Sequence, residues 1–554
     1  MSRRAALLLA LPPALFLAVF FAFPVLSIVA LGVAPDGVPD PGALVRTWTS
    51  SSTLRVVAWT IGLALAATTL TLLAGLPAAW VFARFRFPGK RLLRALLTVP
   101  FVLPSVVVGA AFLALLGPRS PLNALLTAIA GPDAPQVRLD GTTIAILLAS
   151  VFYNVAVVLR LVGGFWAHLD PRAEEAARVL GASPWRAFRE VTWPLLRPAV
   201  LSAVSIVLLF TLTSFGIVLV LGGPGQATLE VEIWRRTALL LDLPAAAALS
   251  ILQVGGVFLL LLASARAQER LAVAQRLRPA AETERAPRTR RERFVVGTVL
   301  AGLIALVGLP LLILVERSFA VGAGYGLTAW TTLGSLPQRA GLFVPPAEAI
   351  GNSLLFAFAT LLVAGSLGLS AALAIGSRRG WLPQTFDALL MLPVGTSAVT
   401  VGFGFLVALG EPPLDLRTSI LLIPLAHALV ALPFVIRATA PVIRSIDPRL
   451  REAAAVLGAS PGRAWREVDA PIVARAALVG AGFAFAISLG EFGATLFIAR
   501  PATPTLPVAI YRLLGLPGPL PFAQAMALAT ILLVLTAISV LAIERLRGSG
   551  PSPF

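Results

Sequence analysis

Twelve stretches of the chain are long and apolar enough to cross a membrane, since about 20 residues at 1.5 Å each span a hydrocarbon core of about 30 Å. They run at about 5–33, 54–83, 95–117, 143–167, 197–222 and 244–265, then at about 294–315, 350–376, 385–409, 419–443, 473–499 and 522–544. The polar positions between them are rich in arginine. Arg3 and Arg4 precede the first run, and Arg84, Arg86, Lys90, Arg91 and Arg94 fill the gap between the second and third. Basic residues mark the cytoplasmic side of short connections, so the N-terminus and that gap are expected inside. The first run is longer than a secretory leader and has no clear small-residue cleavage site, so it reads as a retained span. Residues 266–293 carry nine arginines against four glutamates, a cytoplasmic linker of net charge +5. The expected organisation is a first half at 1–265, the linker at 266–293, a second half at 294–545 and a tail at 546–554, with both termini inside.

The halves repeat. Pro100, Gly109, Phe112 and Gly117 fall on Pro393, Gly402, Phe405 and Gly410 at a shift of 293 residues, and Arg160 falls on Arg437 at 277. The change of shift places a 16-residue deletion in the outer connection after the third span of the second half. An even number of crossings per half makes these parallel repeats, which counts against an inverted-repeat secondary transporter. Glycine and alanine are frequent in the runs, as close helix packing in lipid requires.

The longest matched stretch lies in the gap after the fourth span of each half. Asp170 to Arg197 reads DPRAEEAARVLGASPWRAFREVTWPLLR, and Asp447 to Arg475 reads DPRLREAAAVLGASPGRAWREVDAPIVAR. Each copy predicts two short helices joined by a turn. Asp170 caps a helix that opens with Pro171, whose missing amide would be unpaired at that position. Glu174 and Glu175 in its first turn and Arg178 near its end suit the helix dipole. Gly181 supplies a left-handed stop, and Ser183 with Pro184 starts the second helix. On that helix Trp185, Phe188 and Val191 form an apolar stripe suited to filling a groove.

The pattern Glu175, Ala176, Gly181, repeated as Glu452, Ala453, Gly458, resembles the cytoplasmic EAA loop of permease subunits in ABC importers. The resemblance covers both halves, with loops at 168–195 and 445–472. It departs at Trp193 and Ala470, where that family often has leucine. It implies that these residues, with Trp185, Phe188 and Trp465, dock on a cytoplasmic ATPase homodimer. ATP and Mg then bind to the partner, and no cofactor belongs to this chain.

Composition narrows the chemistry. Of 554 residues 58% are hydrophobic and 13% charged, far too apolar for a soluble protein of this length. The net charge of +18 does not point to nucleic acid, because the arginines sit in short connections where they set orientation. Absence of cysteine excludes disulfides and thiolate metal sites, and two histidines, His168 and His427, exclude a histidine metal cluster. His427 lies within a span, where a hydrogen-bonded structural role is expected. No G-x-x-x-x-G-K-[ST] phosphate loop occurs, so any ATP is hydrolysed by another polypeptide.

Glu491, in SLGEFGATLF, is the clearest acid within a span, where an unpaired charge costs about 3 kcal/mol. It is expected to be a pathway or gate residue. Its counterpart is Ser214, with Phe215 matching Phe492. The SLGEFGA string resembles permeases for molybdate, sulfate, ferric iron and thiamine alike. The outer stretches LGGPGQATLEVEIWRR and TLPVAIYRLL resemble those of fused permeases for thiamine and ferric iron, with a lean to thiamine on the GGP-QAT-x-E-x-x-I spacing. Molybdate and sulfate permeases are usually single six-helix chains.

The expectation is an all-α integral membrane protein of twelve helices in two parallel six-helix repeats. The resemblance implies the permease of a bacterial inner-membrane importer, fed by an extracytoplasmic solute-binding protein. A twelve-helix ion-coupled secondary transporter is the alternative.

Overall fold

The computed structural model describes residues 3–547 apart from 36, 132–134, 272–282, 323, 336–342, 377–379, 411 and 413. Much of the expected linker, with Arg276, Arg278 and Glu282, and the tail from 548 lie outside the described residues. Eleven described helices are long and apolar enough to cross a membrane, and a pair bent by 95° makes twelve when counted as one broken span. The chain is an all-α integral membrane protein built on two repeats. Among the described residues, the sheet structure is a two-residue hairpin, Ala320–Val321 with Gly324–Tyr325, and one isolated bridge between Phe85 and Arg285.

The repeats pack alike at small residues. A Cβ on Gly75 in the second span would lie 2.7 Å from Val158, and one on Gly368 in the eighth would lie 2.5 Å from Val435. Both pairs occupy equivalent positions, so hydrogen alone is tolerated there in either half.

Two pairs of runs that read as continuous are broken. The third is a helix Lys90–Val102 followed by Ser105–Leu116. Pro104 lacks the amide that would bond back into the helix, and it forces Leu103 into extended backbone at ψ 140°. The ninth bends by 95° between Trp381–Gly395 and Ala398–Ala408, where Ser397, equivalent to Pro104, accepts from the Thr400 amide at 3.0 Å. The fifth and eleventh runs also stop short. Helices Pro184–Leu212 and Pro461–Gly490 each give way to a short helix, Gly216–Leu221 and Thr495–Ile498, with Ser214 and Glu491 in the breaks.

The chain divides into two compact units that do not follow the sequence halves. One comprises Met1–Thr47, Ile233–Ile251 and Ser318–Phe554, the other Trp48–Glu232 and Leu252–Arg317. In the first, Phe16, Leu17 and Phe21 of the opening span join Ala364, Ala371, Phe405 and Leu432 in one apolar cluster. In the second, the seventh span, Arg290–Arg317, packs on Ser51–Arg84 and Ser105–Leu116, with Val296 against Val81 and Phe85. The opening span of each repeat therefore packs on helices of the other.

Candidate functional site

Both matched connections fold as helix, glycine turn, helix. Asp170 accepts from the Arg172 amide at 3.0 Å and Asp447 from the Arg449 amide at 2.9 Å, each at the head of a helix, Arg172–Val179 and Pro448–Val456. Gly181 and Gly458 adopt φ of +93° and +81°, the left-handed stop that their position predicts. Ser183 and Ser460 then accept from the Arg186 and Arg463 amides at 3.3 and 3.4 Å. The second helix of each copy is not short. It runs on into the fifth or eleventh span through a wide turn, Phe188–Thr192 or Trp465–Asp469, in which the amides of Trp193 and Ala470 reach back five residues to Phe188 and Trp465. Pro194 and Pro471 follow directly, and a proline ring crowds the carbonyl four residues before it, which favours this widening.

The exposed apolar surface lies partly elsewhere than the stripe. Val179, Leu180, Val456 and Leu457 are each 87–88% exposed, immediately before the two glycines. Trp185 is 68% exposed and Trp465 39%, whereas Phe188 is half-buried. Phe188 stacks between Trp166, at 6.0 Å, and Trp185, at 5.7 Å, so it supports the turn from within rather than presenting a free face. Glu175, Ala176, Glu452 and Ala453 are exposed on the first helices. The signal for the Val-Leu pair was in the sequence: VLGAS stands in both copies, and its two apolar residues directly precede a helix stop.

Each turn is tied to the helix that follows by one pair at equivalent positions with different chemistry. In the first copy the Thr192 hydroxyl donates to Glu174 at 2.7 Å. In the second, Arg451 replaces the glutamate and Asp469 the threonine, and the guanidinium Nε lies 2.9 Å from both carboxylate oxygens. Asp469 is 3% exposed, and Arg451 meets both of its oxygens.

The end of the linker straps onto the base of the first turn. The Thr283 hydroxyl donates to the Ala167 carbonyl at 2.5 Å, and Arg285 exchanges backbone bonds with Arg84 and Arg86 at 3.0 and 2.9 Å. Glu284 pairs with Lys90 at 2.9 Å. Burial pulls the Lys90 ammonium below its usual range, and Glu284 opposes that shift.

Glu491 is buried but well served. Its carboxylate accepts from the Ala494 and Thr495 amides at 2.8 and 3.0 Å and from the Thr495 hydroxyl at 2.5 Å. These are cap bonds to the helix that resumes after the break. His427, fully buried, joins Ser488 and Thr495 at 2.7 Å each through its two ring nitrogens and lies 3.3 Å from Glu491, the hydrogen-bonded role expected of it. In the first half the break is held differently. Thr228 donates to the Ser214 carbonyl at 3.2 Å, and Gln253 bridges the Leu212 carbonyl to Glu230 at 3.2 and 2.8 Å. Glu230, 0% exposed, is a buried acid that the sequence reading missed, because LEVEIWRR looks like an ordinary charged connection. Phe215 and Phe492 are both buried beside the breaks. Among the described residues no three His, Cys, Asp or Glu side chains gather as metal ligands.

Residues 72–272 and 364–546 match the family described as the binding-protein-dependent transport system inner membrane component, one stretch for each glycine turn. A probable ABC transporter permease protein, y4fN, from Sinorhizobium fredii is 28% identical over 516 residues, covering 90% of this chain and 88% of that one. The thiamine transport system permease protein ThiP of Brucella abortus is 27% identical over 506 residues, covering 90% and 89%. The sulfate transport system permease protein CysT of Escherichia coli is 34% identical over 149 residues, but these are 27% of this chain and 52% of that one. With two family matches, two glycine turns and two parallel repeats in one polypeptide, the chain belongs to the family of inner membrane components of binding-protein-dependent transport systems, as a fused two-half ABC importer permease.

Proposed function

We propose that the chain is the permease of a bacterial thiamine importer. The observation that carries the solute is coverage: relatives named as thiamine permeases align along 90% of this chain and 89% of their own length, whereas the sulfate permease aligns with about a quarter of it. Family membership replaces the ion-coupled alternative, and thiamine takes precedence over ferric iron.

In this reading both termini lie in the cytoplasm, and an extracytoplasmic binding protein delivers the solute to the outer side. A cytoplasmic ATPase homodimer, holding ATP and Mg, grips the two turns around Gly181 and Gly458. The Val-Leu pairs and Trp185 supply the buried apolar contact, while Glu175 and Glu452 lie exposed beside it. Closure of the ATPase moves the turns, and because each second helix runs on into a span, the motion reaches the breaks at Ser214 and Glu491. Glu491 and its partners hold the eleventh span, beside Phe492, rigid enough to transmit it, and Phe215 stands at the equivalent break after Ser214.

The test is uptake into proteoliposomes containing this chain, its ATPase and its binding protein. Radiolabelled thiamine should accumulate only with ATP and the binding protein. Accumulation of ferric iron without thiamine would reject the solute.

A further inference from the structure

Two short helices of the outer connections, Leu229–Ala238 and Leu506–Leu514, are equivalent in the repeats. At the shift of 277 residues, Thr228, Leu229, Val231, Ile233, Trp234 and Arg235 fall on Thr505, Leu506, Val508, Ile510, Tyr511 and Arg512. The structure anchors them alike. The Leu229 amide donates to the Thr60 hydroxyl at 3.0 Å, and the Leu506 amide donates to the Ser353 hydroxyl at 2.7 Å. Thr60 and Ser353 are themselves equivalent at the shift of 293.

The aromatic residue of each matched string meets its own counterpart. Trp234 and Tyr511 stand edge to face with ring centroids 6.2 Å apart and planes at 89°. Tyr511 in turn lies 5.7 Å from Phe492, which adjoins Glu491 at the break of the eleventh span. Residues at equivalent positions of two repeats that touch one another mark where the related surfaces converge, as at an isologous interface. A row of rings thus leads from that convergence to the broken span. Trp234 and Tyr511 are half-buried and Phe492 is buried.

We propose that Trp234 and Tyr511 form a reciprocal aromatic gate on the outer side of the permease, which parts to admit a planar heteroaromatic solute and closes behind it. This rests on the importer reading above. The ring face that its partner's edge covers when the pair is closed becomes a stacking surface when they separate, and a ring-bearing cation gains both stacking and cation–π contact there. A hydrated metal ion gains neither. The anchoring hydroxyls fix the two helices at their N-terminal ends, so separation of the rings requires the helices to swing about those ends.

The cysteine-free sequence makes the gate testable in the full complex. Trp234→Cys and Tyr511→Cys are introduced together and joined by a short, reductant-cleavable bifunctional thiol reagent. Joining them should lower ATP-driven thiamine uptake roughly ten-fold or more, as locking a gating element does, and reductant should restore it. Each single variant should show the same uptake before and after the reagent, whatever its own rate, so that only joining the two helices accounts for the loss. Undiminished uptake in the joined protein overturns the gate. A second measurement needs no solute: the yield of joined protein should fall when the complex is trapped with ATP and vanadate, and an equal yield in both states also overturns it. If the yield follows nucleotide state while the unmodified chain accumulates no thiamine, the gate stands and the solute reading falls. The Trp234→Phe, Tyr511→Phe double variant, which keeps the rings, should retain uptake. The corresponding alanine variant should let preloaded thiamine leak without ATP, and tight alanine vesicles count against the gate.

Discussion

Removing the Val-Leu pair of one turn separates coupling from folding. Val179 and Leu180 are 87% and 88% exposed, so Val179→Ser with Leu180→Ser costs the permease little stability, since surface substitutions usually fall within about 0.5 kcal/mol. The same exposure leaves nearly their whole apolar surface to be buried by a partner. Full burial of such a side chain is worth about 1.5–3 kcal/mol, and ordering costs at an interface reduce that to about 1–2 kcal/mol each. Loss of both should therefore weaken ATPase binding by about 2–4 kcal/mol, roughly 30-fold to several-hundred-fold. Titration of the purified ATPase onto the permease in nanodiscs measures the change directly, and membrane abundance with thermal melting checks the fold. Unchanged affinity in a folded variant would refute the argument that these residues face the ATPase. The equivalent change at Val456 and Leu457 should cost about as much, because their exposure is the same.

Gly181→Ala and Gly458→Ala probe the backbone alone, since a Cβ at either site meets nothing within 4 Å while φ is strongly positive. Each should cost about 1–2 kcal/mol, spent on tilting the turn, and the double variant should lose most binding-protein-stimulated ATP hydrolysis at normal abundance. Arg451→Glu alone puts a second carboxylate beside buried Asp469 and should lower the melting temperature. Adding Asp469→Thr recreates the Glu174 and Thr192 pair and should recover it, a double-mutant coupling readable by thermal shift. Glu491→Gln keeps the shape but turns an amide group toward donors that a carboxylate oxygen had satisfied, a cost of about 1–3 kcal/mol. It should insert normally and transport poorly, and uptake at the parental level would reduce Glu491 to a packing residue.

The repeat and the caps of the two glycine turns were legible because they rest on local chemistry. Asp170, Gly181 and Ser183 act on their neighbours in sequence, so spacing alone fixed the turn. The breaks were not legible, because an apolar run reads the same whether or not Pro104 interrupts it, and prolines at 77 and 310 lie inside continuous helices. That Phe188 is half-buried was not legible, since its periodicity fits either side of the helix, and Trp166, from the preceding span, is what covers it. The exchange of opening spans depends on tertiary packing of Phe16 and Val296 that no local pattern encodes. Glu230 escaped notice for the same reason: Gln253, its partner, stands 23 residues away.

The central claim is that one polypeptide offers two equivalent turns to two ATPase subunits. A photo-reactive amino acid placed at Val179, at Val456 or at both, in the assembled complex, tests it most directly. Illumination should join one ATPase subunit to the chain for either single site and two for the double, read as masses on a denaturing gel. A double variant that never captures a second subunit, with both sites intact and the complex active, would contradict it.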